Sequence, residues 1–218
     1  MNQIKQLMSS NVEDDFKLGV ILADKQSELK EILYETEDPE IWEKILPLNG
    51  LRSLQKQFPQ VFVAGSVGLF LHGVRLSRWT ERIALLNKGQ KLGYGSDLDI
   101  ISPYYVNLEN NEELNTTTLQ NYSGYENDFT EYVVGTDMDL GFQREFKIEL
   151  RINPSEKYET VEYGGYKYKV SKLSTIVKEK VKYCFQKGNY QKHVRDFEDI
   201  CGKTYYESFL KKKNENNK

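Results

Sequence analysis

Asp97 and Asp99, in the run Ser96-Asp97-Leu98-Asp99-Ile100, are the side chains of this sequence best spaced for metal chemistry. Residues two apart in a strand point the same way. The two carboxylates therefore project together while Leu98 and Ile100 point into a core. Acids held that close repel each other unless a cation lies between them. Hard oxygen donors suit Mg²⁺ (or Mn²⁺), which binds through one or two carboxylates plus substrate phosphates. Upstream, Val61 to Ala64 reads as an apolar strand that runs into Gly65-Ser66 and then a helix over 66–74. Backbone N–H groups at such a turn and helix start favour an anion. A phosphate seat followed by a metal dyad points to metal-dependent chemistry on a nucleoside triphosphate. A third acid, Glu149, lies in Phe146-Lys147-Ile148-Glu149-Leu150-Arg151-Ile152, with Phe146, Ile148, Leu150 and Ile152 on one face and Glu149 on the other. Two-metal phosphoryl transfer wants a third carboxylate on a neighbouring strand, and Glu149 stands in the right order to supply it.

The elements that must position these groups can be read from the pattern. Residues 1–58 form an N-terminal helical segment. Ser10-x-x-Glu13 fits a capping box, Asp38-Pro39 starts a helix through Ile41, Trp42 and Ile45 that stops near Pro47 and Gly50, and Leu51 to Phe58 is one more helix. Residues 59–170 form the mixed core. It holds strand 61–64, helix 66–74, a variable segment 75–95, strand 97–101 and a polar loop or insertion over 103–128. Two strands follow, Glu131–Val134 and Glu145–Ile152, joined through Gly135 and Gly141, and then a hairpin turning at Gly164-Gly165. A second Asp-x-Asp, Asp137 and Asp139, belongs to a solvated strand or turn. Residues 171–218 turn helical again, with Leu173, Ile176, Val177 and Val181 on one face, a break at Gly188-Asn189, and a second helix from Gln191 to Cys201. The expected fold class is α+β.

At 218 residues the chain is long enough for one catalytic domain with helical attachments. The net charge of −3 excludes a chain that is basic throughout, so a polyanion would need a local basic patch. Two cysteines, Cys184 and Cys201, are too few for a disulfide scaffold or a cysteine zinc site. No run is long enough for a membrane span, and the N-terminus lacks the apolar core of a signal peptide. The expectation is a cytoplasmic protein with no membrane partner.

Gly65-Ser66, then Asp97-x-Asp99, then Glu149 resembles the nucleotidyltransferase superfamily that includes DNA polymerase β. Within it, the chain is most similar to the AbiEii-like nucleotidyltransferase toxins of abortive-infection and toxin–antitoxin systems. The resemblance covers about residues 60–200 and extends to the C-terminal helices, through Lys178-Glu179-Lys180-Val181-Lys182 and Lys192-His193-Val194-Arg195-Asp196-Phe197-Glu198-Asp199-Ile200. It implies a nucleotidyltransferase-like mixed sheet with flanking helices, and transfer of a nucleotidyl group from a nucleoside triphosphate to a hydroxyl acceptor. The implied acceptor is an RNA such as a tRNA end, or a protein side chain, and a cognate antitoxin is an implied partner. Asp97 and Asp99 would bind both metal ions, and Glu149 the catalytic one. Gly65 and Ser66 would hold the β- and γ-phosphates, and Lys180, Lys192 and Asp196 would line the nucleotide or acceptor side. Of Arg75, Arg78 and Arg82, which closely follow the seat, Arg78 is favoured as a phosphate contact.

Each piece has a plainer reading. Asp-x-Asp occurs by chance in acidic loops, Gly-Ser caps many ordinary turns, and a glutamate on a strand is usually solvated. His72 fits a hydrogen-bonded core or edge residue. His193 fits a polar cleft or a solvated helix face, on which Arg195 and Asp196 would pair locally. Lys180 serves either as a point charge for triphosphate or as surface lysine. The rival reading from another class is a binding or structural protein on a nucleotidyltransferase fold that has lost its chemistry. Transfer to a small molecule shares the donor site and differs in the acceptor.

Overall fold

The structure, a computed structural model, describes residues 39–89, 97–109, 116–122, 129–138, 141–183 and 190–201. The expected capping box at Ser10 and Glu13, Ser96, Asp139, Cys184, the break at Gly188-Asn189 and the polar tail lie outside the described residues. The chain divides into two compact units. The first comprises residues 37–72 and 82–172, and the second includes residues 73–81 and everything from Leu173 onward.

The first unit is built on a seven-stranded mixed sheet. Its strands are β1 (Phe62–Val63), β2 (Leu98–Ser102), β3 (Thr116–Tyr122), β4 (Phe129–Met138), β5 (Gly141–Ile152), β6 (Tyr158–Tyr163) and β7 (Tyr166–Ser171), in the order β3-β4-β5-β2-β1-β7-β6. The β2/β5 and β1/β7 pairs are parallel and the others antiparallel. Helices α1 (Pro39–Ile45), α2 (Leu48–Gln57) and α3 (Gly65–Leu71) belong to the same unit. Leu48, Leu51 and Leu54 recur at helical spacing on α2 and are buried, each contributing about 1.5–3 kcal/mol by leaving water. Trp42 of α1 meets Phe70 of α3 at 4.7 Å between ring centroids. Within β7, the Lys169 backbone meets α2: Gln55 accepts a hydrogen bond from the Lys169 amide (3.0 Å) and donates one to the Lys169 carbonyl (2.7 Å). The α+β class is as expected.

Several sequence expectations need correction. Gly50 does not stop a helix. It sits inside α2, where a Cβ would come within 2.3 Å of the Phe146 ring, so the missing side chain makes room for an aromatic. The variable segment 75–95 contains a helix, α4 (Arg78–Asn87). Part of the polar stretch 103–128 is a strand: Thr116–Tyr122 pairs with β4, its three consecutive β-branched threonines suiting a pleated surface. The two strands expected at 131–134 and 145–152 are the inner parts of a longer hairpin that extends to Met138 and Gly141, with a bulge at Val134/Gly135. Asp137 lies in that hairpin opposite Phe142. On β5, Phe146, Ile148 and Leu150 are buried as expected, but Ile152 is exposed.

The hairpin of β6 and β7 turns at Gly164 and Gly165, both at positive φ (58° and 77°). A two-residue turn of that hand requires both central residues to be left-handed.

The second unit contains α5 (Leu173–Tyr183) and α6 (Tyr190–Cys201), which pack against each other. Ile176, Val177, Phe197 and Ile200 supply its apolar contacts. Among the described residues no helix is long and apolar enough to cross a membrane.

Candidate active site

Three strands bring acids into one row. In the parallel β2/β5 pair, Asp99 stands directly opposite Glu149. In the antiparallel β4/β5 pair, Glu131 stands opposite the same Glu149. Residues opposite each other in a ladder share a face, so Asp99, Glu149 and Glu131 project from one side of the sheet. Leu98 and Ile100, on the other side, are fully buried. Asp97 immediately precedes β2, and its charge acts on Glu149 as well. The Glu149 carboxyl is pushed up to about 7, first by burial and then by the negative charges of Asp99, Asp97 and Glu131, with Arg151 opposing them. Among the described residues no three carboxylate, imidazole or thiol groups are gathered so as to hold a metal ion. The row is therefore aligned by register without its side chains being drawn into a cage.

Glu131 is the acid that sequence reasoning missed. It is buried and receives a hydrogen bond from the Lys147 ammonium at 2.8 Å. An acid heading the apolar run Tyr132-Val133-Val134 was the available signal, but only the strand register shows that it faces Glu149.

Gly65 and Ser66 open α3 directly after β1. The first N–H groups of a helix have no acceptor within it, and all seven residues of α3 are buried. Gly65 has φ of +57°, and a Cβ built there would fall 1.6 Å from Asp99 Oδ2. The Asp99 carboxylate thus rests in the space that a side chain at 65 would fill. The Ala64 amide donates to the Asp99 carbonyl at 2.7 Å, which fixes the two backbones together. The Gly65-Ser66 turn and the acid row are consequently neighbours. Ser66 itself is buried.

In the second unit, Asp196 is fully buried between two cations. Arg78 Nε donates to its Oδ1 and Lys180 Nζ to its Oδ2, each at 2.8 Å. Burial alone would raise the Asp196 carboxyl, but the charges and hydrogen bonds of Lys180 and Arg78 outweigh it and hold it below the usual range. Asp199 accepts from the Ser77 amide (2.8 Å) and hydroxyl (2.7 Å). Burial pushes its carboxyl up against those hydrogen bonds, with Asp196 adding to the push. Arg195 does not pair with Asp196: it reaches Glu81 at 2.7 Å and the Ser77 hydroxyl at 3.1 Å. Lys192 and Asp196, both expected to line the nucleotide or acceptor side, differ in burial. Lys192 is exposed in the first turn of α6, whereas the buried positions Asp196, Phe197, Asp199 and Ile200 all lie in the second half of the helix.

His72 meets the hydrogen-bonded reading, with Nε2 2.8 Å from the Ser171 carbonyl oxygen and Nδ1 3.5 Å from Glu159. The structure thus gathers Gly65, Asp99, Glu149 and Glu131 in the sheet unit, and Arg78, Lys180 and Asp196 in the helical one. No protein-family model, curated protein or solved structure matches the chain.

Proposed function

We propose that the protein is a metal-dependent nucleotidyltransferase that moves a nucleotidyl group from a nucleoside triphosphate to a hydroxyl acceptor on an RNA end or a protein side chain. The observation that carries this reading is the in-register pair Asp99 and Glu149, with the Asp99 carboxylate seated against the Gly65 turn. The chemistry of the donors suits a hard divalent cation, since Asp97, Asp99 and Glu149 offer carboxylate oxygens on a face crowded with negative charge, although among the described residues they are not drawn into a ready three-ligand group. These three residues would hold Mg²⁺ or Mn²⁺. When bound, the cation would neutralise phosphate charge and make the acceptor hydroxyl more acidic.

The remaining work falls to the chain. Backbone N–H groups at Gly65 and Ser66 seat the β- and γ-phosphates. The acceptor oxygen bonds to the α-phosphorus as the bond to the bridging oxygen breaks, and pyrophosphate leaves. Glu149, beside the catalytic cation and the acceptor hydroxyl, would help to take the acceptor proton. Arg78, Lys180 and Asp196 form a buried ionic cluster, which suits a structural support for the C-terminal helices; Lys192 is the exposed cation among the residues assigned to the nucleotide side. A toxin role with a cognate antitoxin follows from the sequence resemblance alone.

A second reading is a binding protein on the same fold without chemistry. It is favoured by the lack, among the described residues, of a ready three-ligand group and by the engagement of Glu131 with Lys147. Labelled triphosphates of all four bases, offered with Mg²⁺ to total RNA and to cell lysate, separate the two. Transfer by the wild type, lost in Asp97→Asn and Asp99→Asn, supports the enzyme. Absence of both triphosphate binding and acceptor labelling in the wild type leaves the binding protein.

A further inference from the structure

The chain is acidic overall, yet one basin on the sheet unit is lined mainly by cations. It measures about 460 Å³ and lies between α2 and β7, bordered by Arg52, Lys56, Lys167, Lys169, Tyr166 and Gln55. Its size is that of a small-ligand site, but its lining carries four positive charges. One of them, Arg52, is already committed: it pairs with Glu43 at 2.7 Å and donates to the Tyr168 hydroxyl at 2.9 Å. Lys169 reaches back to the Pro59 carbonyl. Lys56 and Lys167 are exposed, and among the described residues neither lies within ion-pair reach of a carboxylate, although Glu162 is the strand neighbour of Lys167. The Tyr166 ring is half exposed, with the Arg52 guanidinium 4.3 Å from its centroid.

We propose that this basin binds a single strand of nucleic acid, with Lys56 and Lys167 meeting successive phosphates and a base stacking on Tyr166. Two exposed lysines and a half-exposed aromatic ring border the same basin, so a strand that brings both phosphate and base to it is matched better than an isolated phosphate. Tyrosine and an arginine plane are the surfaces on which unpaired bases stack. A phosphorylated peptide would use the cations and leave the ring without a role. The inference does not rest on nucleotidyl transfer, because neither the acid row nor any triphosphate takes part.

The test is fluorescence anisotropy of a labelled mixed-sequence oligonucleotide of about 12 nucleotides, a length within the usual range of single-strand sites. RNA and DNA versions are titrated with the full chain in EDTA without triphosphate, so that failure here is separate from failure of the transfer assay. Binding is expected to weaken as salt rises. The double variant Lys56→Gln/Lys167→Gln should bind at least about tenfold more weakly at 50 mM salt, with a log–log salt slope shallower by about 1.4. Tyr166→Ala should weaken binding about fivefold or more while Tyr166→Phe retains it, as stacking requires. Circular dichroism of each variant establishes that the fold is kept. Equal binding by the lysine variant overturns the proposal, and so does no binding by the wild type. Indifference to Tyr166→Ala, with inorganic polyphosphate competing as well as RNA, overturns it in favour of simple anion attraction. Tighter binding of a phosphorylated peptide than of either oligonucleotide overturns it in favour of a protein partner.

Discussion

The carboxylate of Asp99 lies where a side chain at position 65 would have to begin, since a Cβ on Gly65 would come within 1.6 Å of Asp99 Oδ2. Gly65 also has φ of +57°, which costs any L-residue with a side chain about 1–2 kcal/mol. Gly65→Ala should therefore destabilise the protein by about 2 kcal/mol or more and displace the Asp99 carboxylate. Chemical denaturation reads the first effect. Loss of Mg²⁺-dependent triphosphate binding, at a temperature where the variant is folded, reads the second. A variant as stable as the wild type would contradict this packing.

Glu149 makes stability depend on pH in a defined direction. Its carboxyl is raised to about 7 in the folded chain by burial and then by Asp99, Asp97 and Glu131. A raised acid binds more protons folded than unfolded, so its contribution is fully present below the ordinary glutamate range and is lost as pH rises to about 7. Glu149→Gln should flatten that loss and be more stable than the wild type at pH 8, by on the order of 2 kcal/mol. Thermal melts between pH 5 and pH 8 measure it. The same pH dependence in wild type and variant would rule out Glu149 as its source.

Asp99→Asn keeps the side-chain shape and removes a charge from the row. The folded protein should tolerate it, because like charges are relieved. Stabilisation by Mg²⁺ together with a nucleoside triphosphate should vanish, and thermal shift at saturating ligand reads this directly, since a ligand of the native state raises stability by mass action. An unchanged shift in the variant would remove Asp99 from the binding role.

Asp196→Ala leaves Arg78 and Lys180 facing each other without their shared anion. Breaking a buried pair from one side costs about 3–5 kcal/mol. The Asp196 carboxyl is held below its usual range despite burial, so its contribution is present above the ordinary aspartate range and disappears as pH falls through the lowered value. The variant should unfold at lower urea concentration at pH 7, and the gap to the wild type should narrow toward strong acid. A constant gap across that range would mean that the carboxylate charge is not what stabilises this site.

The parts of the fold that were legible in the sequence follow local rules. Alternation gave β2 and β5 and placed Asp99 and Glu149 on polar faces, and Gly164-Gly165 gave its hairpin. What was hidden depends on distant partners. Thr116–Tyr122 reads as loop because no apolar face marks it, and it is a strand through its pairing with β4. Glu131 became part of the row only through the register with Glu149. Gly50 breaks helices by propensity, but here it accommodates Phe146, which lies far along the chain. Asp196 sits in a charged run that reads as solvated, yet it is buried because Arg78 and Lys180 converge on it.

The double hydrogen bond from Gln55 to the Lys169 backbone bears on how this protein behaves in a crowded solution. β1 is two residues long and pairs with β7 only at Val170, so among the described residues most of that side of β7 has no neighbouring strand. Unpaired strand edges are templates for joining another sheet, and proteins protect them with charge or cover. At Lys169 the amide group of Gln55 occupies both the donor and the acceptor that an incoming strand would need, and the lysines at 167 and 169 add repulsion between copies. One side chain on a neighbouring helix thereby satisfies, at Lys169, the backbone groups that the short β1 leaves beside it.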